Sequence, residues 1–253
     1  MCLIAFAWKA HPRWRLLLVG NRDEFHARPS APLAHWTDAP IVAGRDLNAG
    51  GTWLGVGKNG RCSGVTNVRN PRDPQDGMSR GGLVRDFLGA EDNVAAHARK
   101  RQASAREYRP FNLLLFDADE ALYLGNRPDA HSRTILPGIH GLSNADFDTP
   151  WPKTQKLSQR LHAWCADGGE QDFAPLFDAL ADTRPAPDEQ LPDTGIELEK
   201  ERWLSSAFIC GDLYGTRAST VIAIDYADSG YIIERRFGPD GRYEGETAVA
   251  LGD

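Results

Sequence analysis

The sequence has few residues of the kinds that mark disulfide scaffolds, zinc sites or membrane spans. Only four cysteines occur in 253 residues, and none lies in a Cys-x-x-Cys pair or another zinc-ligand spacing, so we expect free thiols and no bound metal. No apolar run approaches the roughly 20 residues that span a bilayer, and the N-terminal stretch lacks the basic and apolar regions of a signal peptide. These absences predict a cytoplasmic protein without a transmembrane segment.

Lysine is also scarce, because 23 of the 29 basic residues are arginine and 6 are lysine. The formal net charge of -6 argues against the broad basic surface that nucleic-acid binding requires. Hydrophobic residues make up 41% of the chain, which is enough for one substantial core, and no break in composition indicates a second one. We therefore predict a single domain over residues 1–253 that does not bind nucleic acid.

The chain opens with two short apolar runs, residues 2–8 and 14–19, with His11-Pro12 between them. Two such runs joined by a turn predict a β-hairpin. Both alternating faces of each run are apolar, which is typical of strands in the centre of a sheet that is covered on both sides.

The polar motif Asn21-Arg22-Asp23-Glu24 follows the second run. In an extended strand Asn21 and Asp23 point to one face, and Arg22 and Glu24 point to the other. At most one of these pairs can therefore face a ligand directly. An arginine between two carboxylates at the end of a buried strand is costly unless the charges pair or meet a ligand, so we expect pairing in either case.

The remaining pattern predicts strands at both ends of the chain and helices in the middle. Strands are predicted at 41–43, 50–57, 61–67, 111–116 and 121–124, then toward Ile139, and at 204–210, 218–226 and 231–237. Helices are predicted at 83–88, at 94–103, from an N-cap at Thr149 with Pro150 in the first turn through Cys165, and at 173–180. Residues 26–40 and 183–201 are expected to be connections, and the tail beyond Gly238 gives no prediction. This order indicates a sheet assembled from both ends of the chain, with helices on its outer faces.

Cys2 is the first candidate for chemistry. If Met1 is removed, the Cys2 thiol lies within reach of its own α-amine, and the reference pKa values are about 8.5 for the thiol and about 7.7 to 8.0 for the amine. One residue would then supply both nucleophile and base, as in N-terminal nucleophile catalysis. The alternative is a small buried thiol without a catalytic role, and position two alone does not decide between them.

Other polar candidates follow short apolar or glycine-containing stretches. Asn67 and Asn144 could each donate an amide hydrogen to an oxyanion or a ligand carbonyl, or could be turn residues. Arg217 could clamp a carboxylate or phosphate in bidentate fashion, or could form a structural ion pair. Arg69 belongs to an arginine-rich segment, residues 68–82, that could bind an anion or could be a solvated loop.

Eight motifs, spread over nearly the whole chain, occur in a recognisable order. They are Met1-Cys2, Asn21-Arg22-Asp23-Glu24-Phe25, Gly51-Thr52-Trp53-Leu54-Gly55, Thr66-Asn67-Val68-Arg69, Gly141-Leu142-Ser143-Asn144, Thr149-Pro150-Trp151-Pro152-Lys153, Leu191-Pro192-Asp193-Thr194-Gly195 and Tyr214-Gly215-Thr216-Arg217. Together they resemble the NRDE family, also called the Transport and Golgi organisation protein family.

The resemblance implies a fold and two kinds of activity. The family is similar to the N-terminal nucleophile hydrolases, notably the cysteine amidases that act on penicillin V and bile salts. It therefore implies an α+β fold, an αββα sandwich of two mainly antiparallel sheets between helix layers. Members of the family have been linked to intracellular haem trafficking and to acyl-CoA or lipid metabolism.

The first hypothesis is a soluble protein that binds and transports haem or acyl-CoA. In this hypothesis Asn21, Arg22, Arg69 and Arg217 form the ligand site, and the arginines meet propionates or phosphates. Haem is then cargo, and no cofactor is required; the sequence does not define the protein partners. Six histidines lack a convincing haem-ligand context, namely His26, His35, His97, His131, His140 and His162. Cys2 is a candidate for an axial ligand.

The second hypothesis is a cysteine amidohydrolase that cleaves an amide or a thioester. Cys2 is then the nucleophile and its amine the base, Asn67 and Asn144 are the oxyanion or substrate donors, and Asp23 or Glu24 orients the amine. This hypothesis requires removal of Met1.

Overall fold

A computed structural model describes residues 2–73, 76–168, 170 and 172–252 of the chain. Removal of Met1 concerns a residue outside the described residues.

The described residues form thirteen β-strands and five α-helices. The strands are β1 (Cys2–Trp8), β2 (Trp14–Phe25), β3 (Ser30–His35), β4 (Val42–Asp46), β5 (Leu54–Val56), β6 (Cys62–Asn67), β7 (Phe111–Phe116), β8 (Ala121–Gly125), β9 (His131–Thr134), β10 (Gly138–Leu142), β11 (Tyr214–Asp225), β12 (Gly230–Phe237) and β13 (Tyr243–Leu251). The helices are α1 (Gly81–Leu88), α2 (Val94–Ala103), α3 (Pro152–Ala166), α4 (Ala174–Leu180) and α5 (Leu198–Trp203).

The strands build two antiparallel sheets. The first sheet has the order β10-β1-β2-β11-β12-β13, and the second has the order β3-β4-β5-β6-β7-β8-β9. The opening hairpin therefore lies in the middle of the first sheet, as its two apolar faces predicted.

Three hydrophobic cores show how the layers stack. Ile4, Phe6 and Trp8 of β1 pack between the two sheets. The alternate residues of the same strand, such as Leu3, pack against α3 and α4. A third core lies between the second sheet and helices α1 and α2. The layer order is thus helix, sheet, sheet, helix, and the predicted α+β sandwich is confirmed.

Most of the other predicted elements are confirmed, including the hairpin with Lys58-Asn59-Gly60 at its turn, where Asn59 and Gly60 have positive φ angles. The four cysteines are free. Cys165 is partly buried, and it packs against the core under α3.

Several predicted elements are wrong. Residues 204–210 form no strand, because their hydrogen bonds go to separate segments instead of one neighbouring strand. The Phe208 N–H donates to the Asp182 carbonyl, the Ile209 N–H donates to Thr216 Oγ1, and the Ala207 carbonyl accepts from the Asn21 amide. The supposed loop 26–40 contains β3, an edge strand that tolerates Pro32 because its pairing with β4 is irregular between Ala31 and Ala34.

The two regions at the C-terminal end that were assigned no structure also contain elements. The connection 183–201 contains the start of α5, and the tail contains β13, the edge strand paired with β12.

The expected N-cap of α3 is also wrong. The helix begins at Pro152, and Trp151 occupies the cap position in an extended conformation. A proline disfavours helical geometry in the residue before it, so Pro152 sets the start of the helix. Thr149 instead donates its hydroxyl to the Asp146 carbonyl, at 2.6 Å.

Candidate active site

Cys2 lies at the start of β1, directly opposite Arg22 on β2. Its side chain is 8% exposed, and it lines a cavity of about 340 Å³, a size typical of sites for small molecules. Burial raises the pKa of the Cys2 thiol, and the nearby Asp23 carboxylate raises it further. The thiol therefore needs a base to become a nucleophile at neutral pH.

The cavity lies where strand ends from both sheets meet the start of α1. Its lining includes seven arginines and five carboxylates, namely Arg22, Arg28, Arg45, Arg80, Arg109, Arg217 and Arg236 with Asp23, Glu24, Asp46, Glu234 and Glu244. The lining is therefore more positive than the acidic chain as a whole. Among the described residues, no histidine lines it.

Asp23 is the most deeply buried carboxylate in this lining, at 3% exposure. Its Oδ1 atom accepts a hydrogen bond from Thr216 Oγ1 at 2.7 Å, and its main-chain carbonyl accepts one from the Tyr214 hydroxyl at 3.2 Å. Burial raises the pKa of the carboxyl group, whereas the nearby Lys153 ammonium and the Thr216 hydrogen bond lower it. Asp23 is thus held rigidly next to Cys2.

Arg22 and Glu24 occupy the other face of β2, as the alternation of the strand predicted. Arg22 Nη2 lies 3.6 Å from Glu24 Oε2, and the same oxygen lies 3.7 Å from Arg28 Nε. This is the pairing that a charged motif at the end of a buried strand requires. Both Arg22 and Glu24 line the cavity, and Asp23 lines it from the opposite face of the strand. The expectation that only one pair can face a ligand is therefore wrong at this strand end.

Asn67 and Asn144 are brought together, but only Asn67 lines the cavity. The Asn144 side-chain amide donates to the main-chain carbonyl of Asn67 at 3.1 Å and to its side-chain Oδ1 at 3.0 Å. Ser143 Oγ lies 3.1 Å from the Cys2 carbonyl oxygen, to which it donates, and 3.1 Å from Asn144 Oδ1. Asn144 therefore fixes the orientation of Asn67, and Ser143 connects this amide pair to the Cys2 backbone.

Asn21 lies away from the cavity and is fully buried under α4. Its amide donates to the carbonyls of Leu180 and Ala207, at 2.8 Å each, and its Oδ1 accepts from Ser219 Oγ at 2.6 Å. These bonds use both of its amide hydrogens. In this structure Asn21 ties the first sheet to the segments around α4.

Arg69 also lies outside the cavity lining. Its Nη1 atom pairs with Glu201 Oε2 at 2.6 Å, with both side chains buried, and its guanidinium lies over the Trp151 ring, 4.8 Å from the centroid. Glu201 Oε1 also accepts the Thr194 main-chain N–H at 3.1 Å. Arg69 thus joins the end of β6 to α5.

Lys153, to which the sequence assigned no role, lies close to Asp23 but outside the lining of the Cys2 cavity. It is 4% exposed, and its Nζ donates to the Leu204 carbonyl at 3.0 Å. Burial lowers its pKa to about 8, against the opposing effect of Asp23. Its position in the Thr149–Lys153 motif was the available signal, but a lysine one residue into a helix is usually solvated.

Arg217 reaches the cavity because of a β-bulge. The register of β2 and β11 shifts between Thr216 and Ala218, so Arg217 is the extra residue, and such bulges redirect side chains. Its Nη1 donates to the carbonyl oxygen of Arg28. Among the described residues, no carboxylate lies within ion-pair distance of Arg217, so the expected structural ion pair is absent there.

Gly51, the first residue of the Gly51-Thr52-Trp53 motif, makes room for a neighbouring backbone segment. A Cβ atom on Gly51 would lie 2.3 Å from the Gly81 carbonyl carbon, and the Thr52 N–H donates to the Gly81 carbonyl at 3.2 Å. Gly51 therefore lets the first residue of α1 approach the cavity wall. The same contact places Ser79, Arg80 and Gly81 in the lining.

Two other kinds of site are absent from the described residues. No helix there is long and apolar enough to cross a membrane. No group of three or more His, Cys, Asp or Glu side chains in that part of the chain is placed to hold a metal ion.

Comparison with known proteins identifies relatives along the whole chain. The family model described as Transport and Golgi organisation 2 matches residues 1–239. The Transport and Golgi organization 2 homologs of Mus musculus and Homo sapiens are each 32% identical over 245 residues, covering 89% of this chain and 89% of each relative.

Among solved structures, the fold is similar to that of a C2A mutant of conjugated bile acid hydrolase from Clostridium perfringens. The TM-score is 0.53 at 7% sequence identity, over 99% of this chain and 92% of that one. This likeness concerns the fold, which is that of the N-terminal nucleophile hydrolases. The chain itself belongs to the Transport and Golgi organisation 2 family.

Proposed function

We propose that this protein is an N-terminal cysteine hydrolase that cleaves an amide or a thioester. The observation that carries the proposal is that Cys2, Asp23 and Asn67 line one cavity at the end of a rigid central hairpin. Nucleophile, acid and amide donor thus converge on one space large enough for a small substrate.

The chemistry assigns one step to each group. Removal of Met1 gives Cys2 a free α-amine, which takes the thiol proton as the sulfur attacks the substrate carbonyl. The side-chain N–H of Asn67 stabilises the oxyanion, and Asn144 holds Asn67 in position. The intermediate collapses to an acyl-Cys2 thioester when the amine or thiol of the substrate leaves with the proton. Water then hydrolyses the thioester and restores the Cys2 thiol.

Asp23 has the role of orienting the protonated amine. Its carboxyl group is fixed by Thr216 at 2.7 Å, and its negative charge stabilises an ammonium group beside it. Lys153 and the ion pair of Arg69 with Glu201 lie behind Asp23 as positioning residues.

The test begins with the intact mass of the purified protein and a panel of amides and thioesters. We expect Met1 to be absent and Cys2→Ala to lower kcat by roughly 10³-fold or more. Cys210→Ala is the matched control, because Cys210 is the exposed free thiol. Equal turnover by Cys2→Ala and the native protein, or activity in protein that retains Met1, would contradict the mechanism.

A second candidate function is the binding and transport of haem or acyl-CoA in the same cavity, in keeping with the transport named in the relatives' titles. The observation that favours it is the excess of arginine over carboxylate in the lining, because arginine suits propionates and phosphates. Arg22 and Arg217 would meet the anionic groups. Arg69 would not, since it is paired with Glu201. Haem would have only the Cys2 thiol as an axial ligand from the described lining.

Titration with haem and with an acyl-CoA tests this function. We expect saturable binding in the micromolar range that weakens about tenfold when Arg22 and Arg217 are replaced by glutamine. Arg99→Gln, an exposed change on α2, is the control. The absence of saturable binding to the native protein would reject the carrier function. A cytoplasmic location remains a prediction under either function.

A further inference from the structure

Four of the seven arginines in the cavity lining already have a carboxylate partner. The pairs are Arg22 with Glu24 at 3.6 Å, Arg28 with Asp46 at 2.6 Å, Arg45 with Asp38 at 2.7 Å, and Arg236 with Glu234 at 4.0 Å. Arg217 has no such partner, but its Nη1 donates to backbone carbonyls. The two that remain are Arg80 and Arg109.

Arg80 and Arg109 come from two segments that the backbone holds side by side. Met78 forms an isolated β-bridge with Tyr108, the Met78 N–H donates to the Glu107 carbonyl at 2.8 Å, and the Arg109 N–H donates to the Met78 carbonyl at 3.3 Å. Both arginine side chains line the Cys2 cavity. This pairing makes two positive charges neighbours on one wall.

Within the described part of the chain, no carboxylate lies within ion-pair distance of either guanidinium. The one hydrogen bond that the Arg80 side chain makes there is long, from Nη1 to the Pro110 carbonyl at 3.5 Å. Burial lowers the pKa of Arg80, and the charge of Arg109 lowers it further. A partly desolvated Arg80 next to a second cation, without a counterion, is unfavourable, and a bound anion would reverse this cost.

The start of α1 adds to the positive potential on the same wall. Arg80 is the residue before the first turn, and neither a capping side chain nor an acidic residue in that turn neutralises the helix end. The free N–H groups and the helix dipole at this end favour negative charge. A Cβ atom on Gly82 would have open space around it, so this side of the helix start is accessible.

We propose that Arg80 and Arg109 form an oxyanion site beside Cys2, which binds a carboxylate or phosphate group of the substrate. That the bound anion belongs to a substrate rests on the proposed hydrolase function. It defines the substrate class as an amide or thioester in which the acyl group or the leaving group is anionic. A neutral amide of the same size would leave the two guanidinium groups uncompensated.

The binding test uses the Cys2→Ala protein, so that turnover does not interfere. Inorganic phosphate and acetate are titrated separately by calorimetry, which distinguishes a phosphate site from a carboxylate site. We expect saturable binding of at least one anion, weakened about tenfold or more by Arg80→Gln with Arg109→Gln. Arg72→Gln, an exposed arginine near the same segment and outside the lining, should leave the affinity unchanged.

Single variants distinguish a loss of anion binding from a loss of folding. Arg109 is exposed, so Arg109→Gln should fold normally and still weaken anion binding. Arg80→Lys keeps the charge but loses the planar fork, and we expect it to retain part of the affinity. Binding that is equal in the double variant and the Cys2→Ala parent, or that is absent from both, overturns the oxyanion site.

A turnover comparison separates this site from the hydrolase function. An N-acylglycine carries a carboxylate where the N-acylethanolamine of the same acyl chain carries a neutral hydroxymethyl group. We expect the native protein to prefer the anionic amide about tenfold or more in kcat/KM, and Arg109→Gln to remove most of that preference. If neither amide is cleaved but phosphate or acetate binds through Arg80 and Arg109, the oxyanion site stands and the hydrolase function fails. Cleavage of both amides at equal rates overturns the oxyanion site alone.

Discussion

At the scale of single residues, the candidate site depends on buried charge. Four charged side chains around the candidate site are buried. They are Asp23, Lys153 and the ion pair of Arg69 with Glu201. Such groups are stable only when each is paired or hydrogen-bonded. Their protonation states are therefore tied to the stability of the fold.

Lys153 gives a pH dependence whose sign follows from its lowered pKa. The pKa is about 8 in the folded protein and 10.5 for an ordinary lysine, so the unfolded chain binds more protons between these values. The contribution of Lys153 to the free energy of unfolding therefore rises with pH across this window, by up to about 1.4 kcal/mol per pH unit. Below pH 8 the buried charge carries its full penalty.

Urea unfolding of the native protein and of Lys153→Met at pH 7.5, 8.5 and 9.5 measures this effect. We expect the stability of the native protein to rise relative to the variant as the pH increases. Lys200→Met, an exposed change on α5, should show no such trend. Parallel stability curves for the native protein and Lys153→Met would mean that Lys153 titrates normally.

At the scale of elements, the position of the α1 start decides the shape of the cavity wall. Gly51 and Gly81 allow two backbones to meet so closely that no Cβ atom fits between them at Gly51. This contact, together with the bridge between Met78 and Tyr108, places Arg80 beside Cys2. The start of α1 occupies the space that the absence of a Gly51 side chain leaves open.

Gly51→Ala tests this packing. The added methyl group would overlap the Gly81 backbone, which is not a flexible side chain, so we expect a loss of about 1 to 3 kcal/mol in the free energy of unfolding. Gly82→Ala is the matched control, because its Cβ atom meets nothing within 4 Å, and alanine in a helix should be neutral or slightly stabilising. The urea midpoints of the two variants provide the measurement. A Gly51→Ala protein as stable as Gly82→Ala would contradict the close contact.

At the scale of the whole molecule, an acidic chain encloses a cationic cavity. The net charge is -6, yet arginines outnumber carboxylates in the lining. Charges focused in a cleft with low-dielectric walls act on a ligand more strongly than the same charges spread over a surface. Part of the arginine excess in the sequence is therefore concentrated in the Cys2 cavity, which the net charge alone did not reveal.

The sequence pattern by itself determined most of the strands and helices, whereas the stacking of two sheets was implied only by the family resemblance. The apolar residues on both faces of β1 and β2 required a sheet covered on both sides, and local signals such as Asn59-Gly60 placed the turns. These features are local, because periodicity and turn geometry depend on neighbouring residues. The sequence pattern did not predict the structure of segments whose conformation depends on a partner elsewhere in the chain, namely β3, β13 and residues 204–210.

Tertiary structure alone decided which polar side chains share the site. Asn21 and Arg69 were predicted to bind a ligand, but segments more than 100 residues away supply the partners that hold them, Leu180 for Asn21 and Glu201 for Arg69. Arg80 belongs to the segment 68–82 that was expected either to bind an anion or to be a solvated loop, but its pairing with Arg109 was not predicted, because it arises from a single β-bridge between two loops. A strand pattern fixes the face on which a side chain lies, whereas the charge or carbonyl that it meets is set by packing between distant segments.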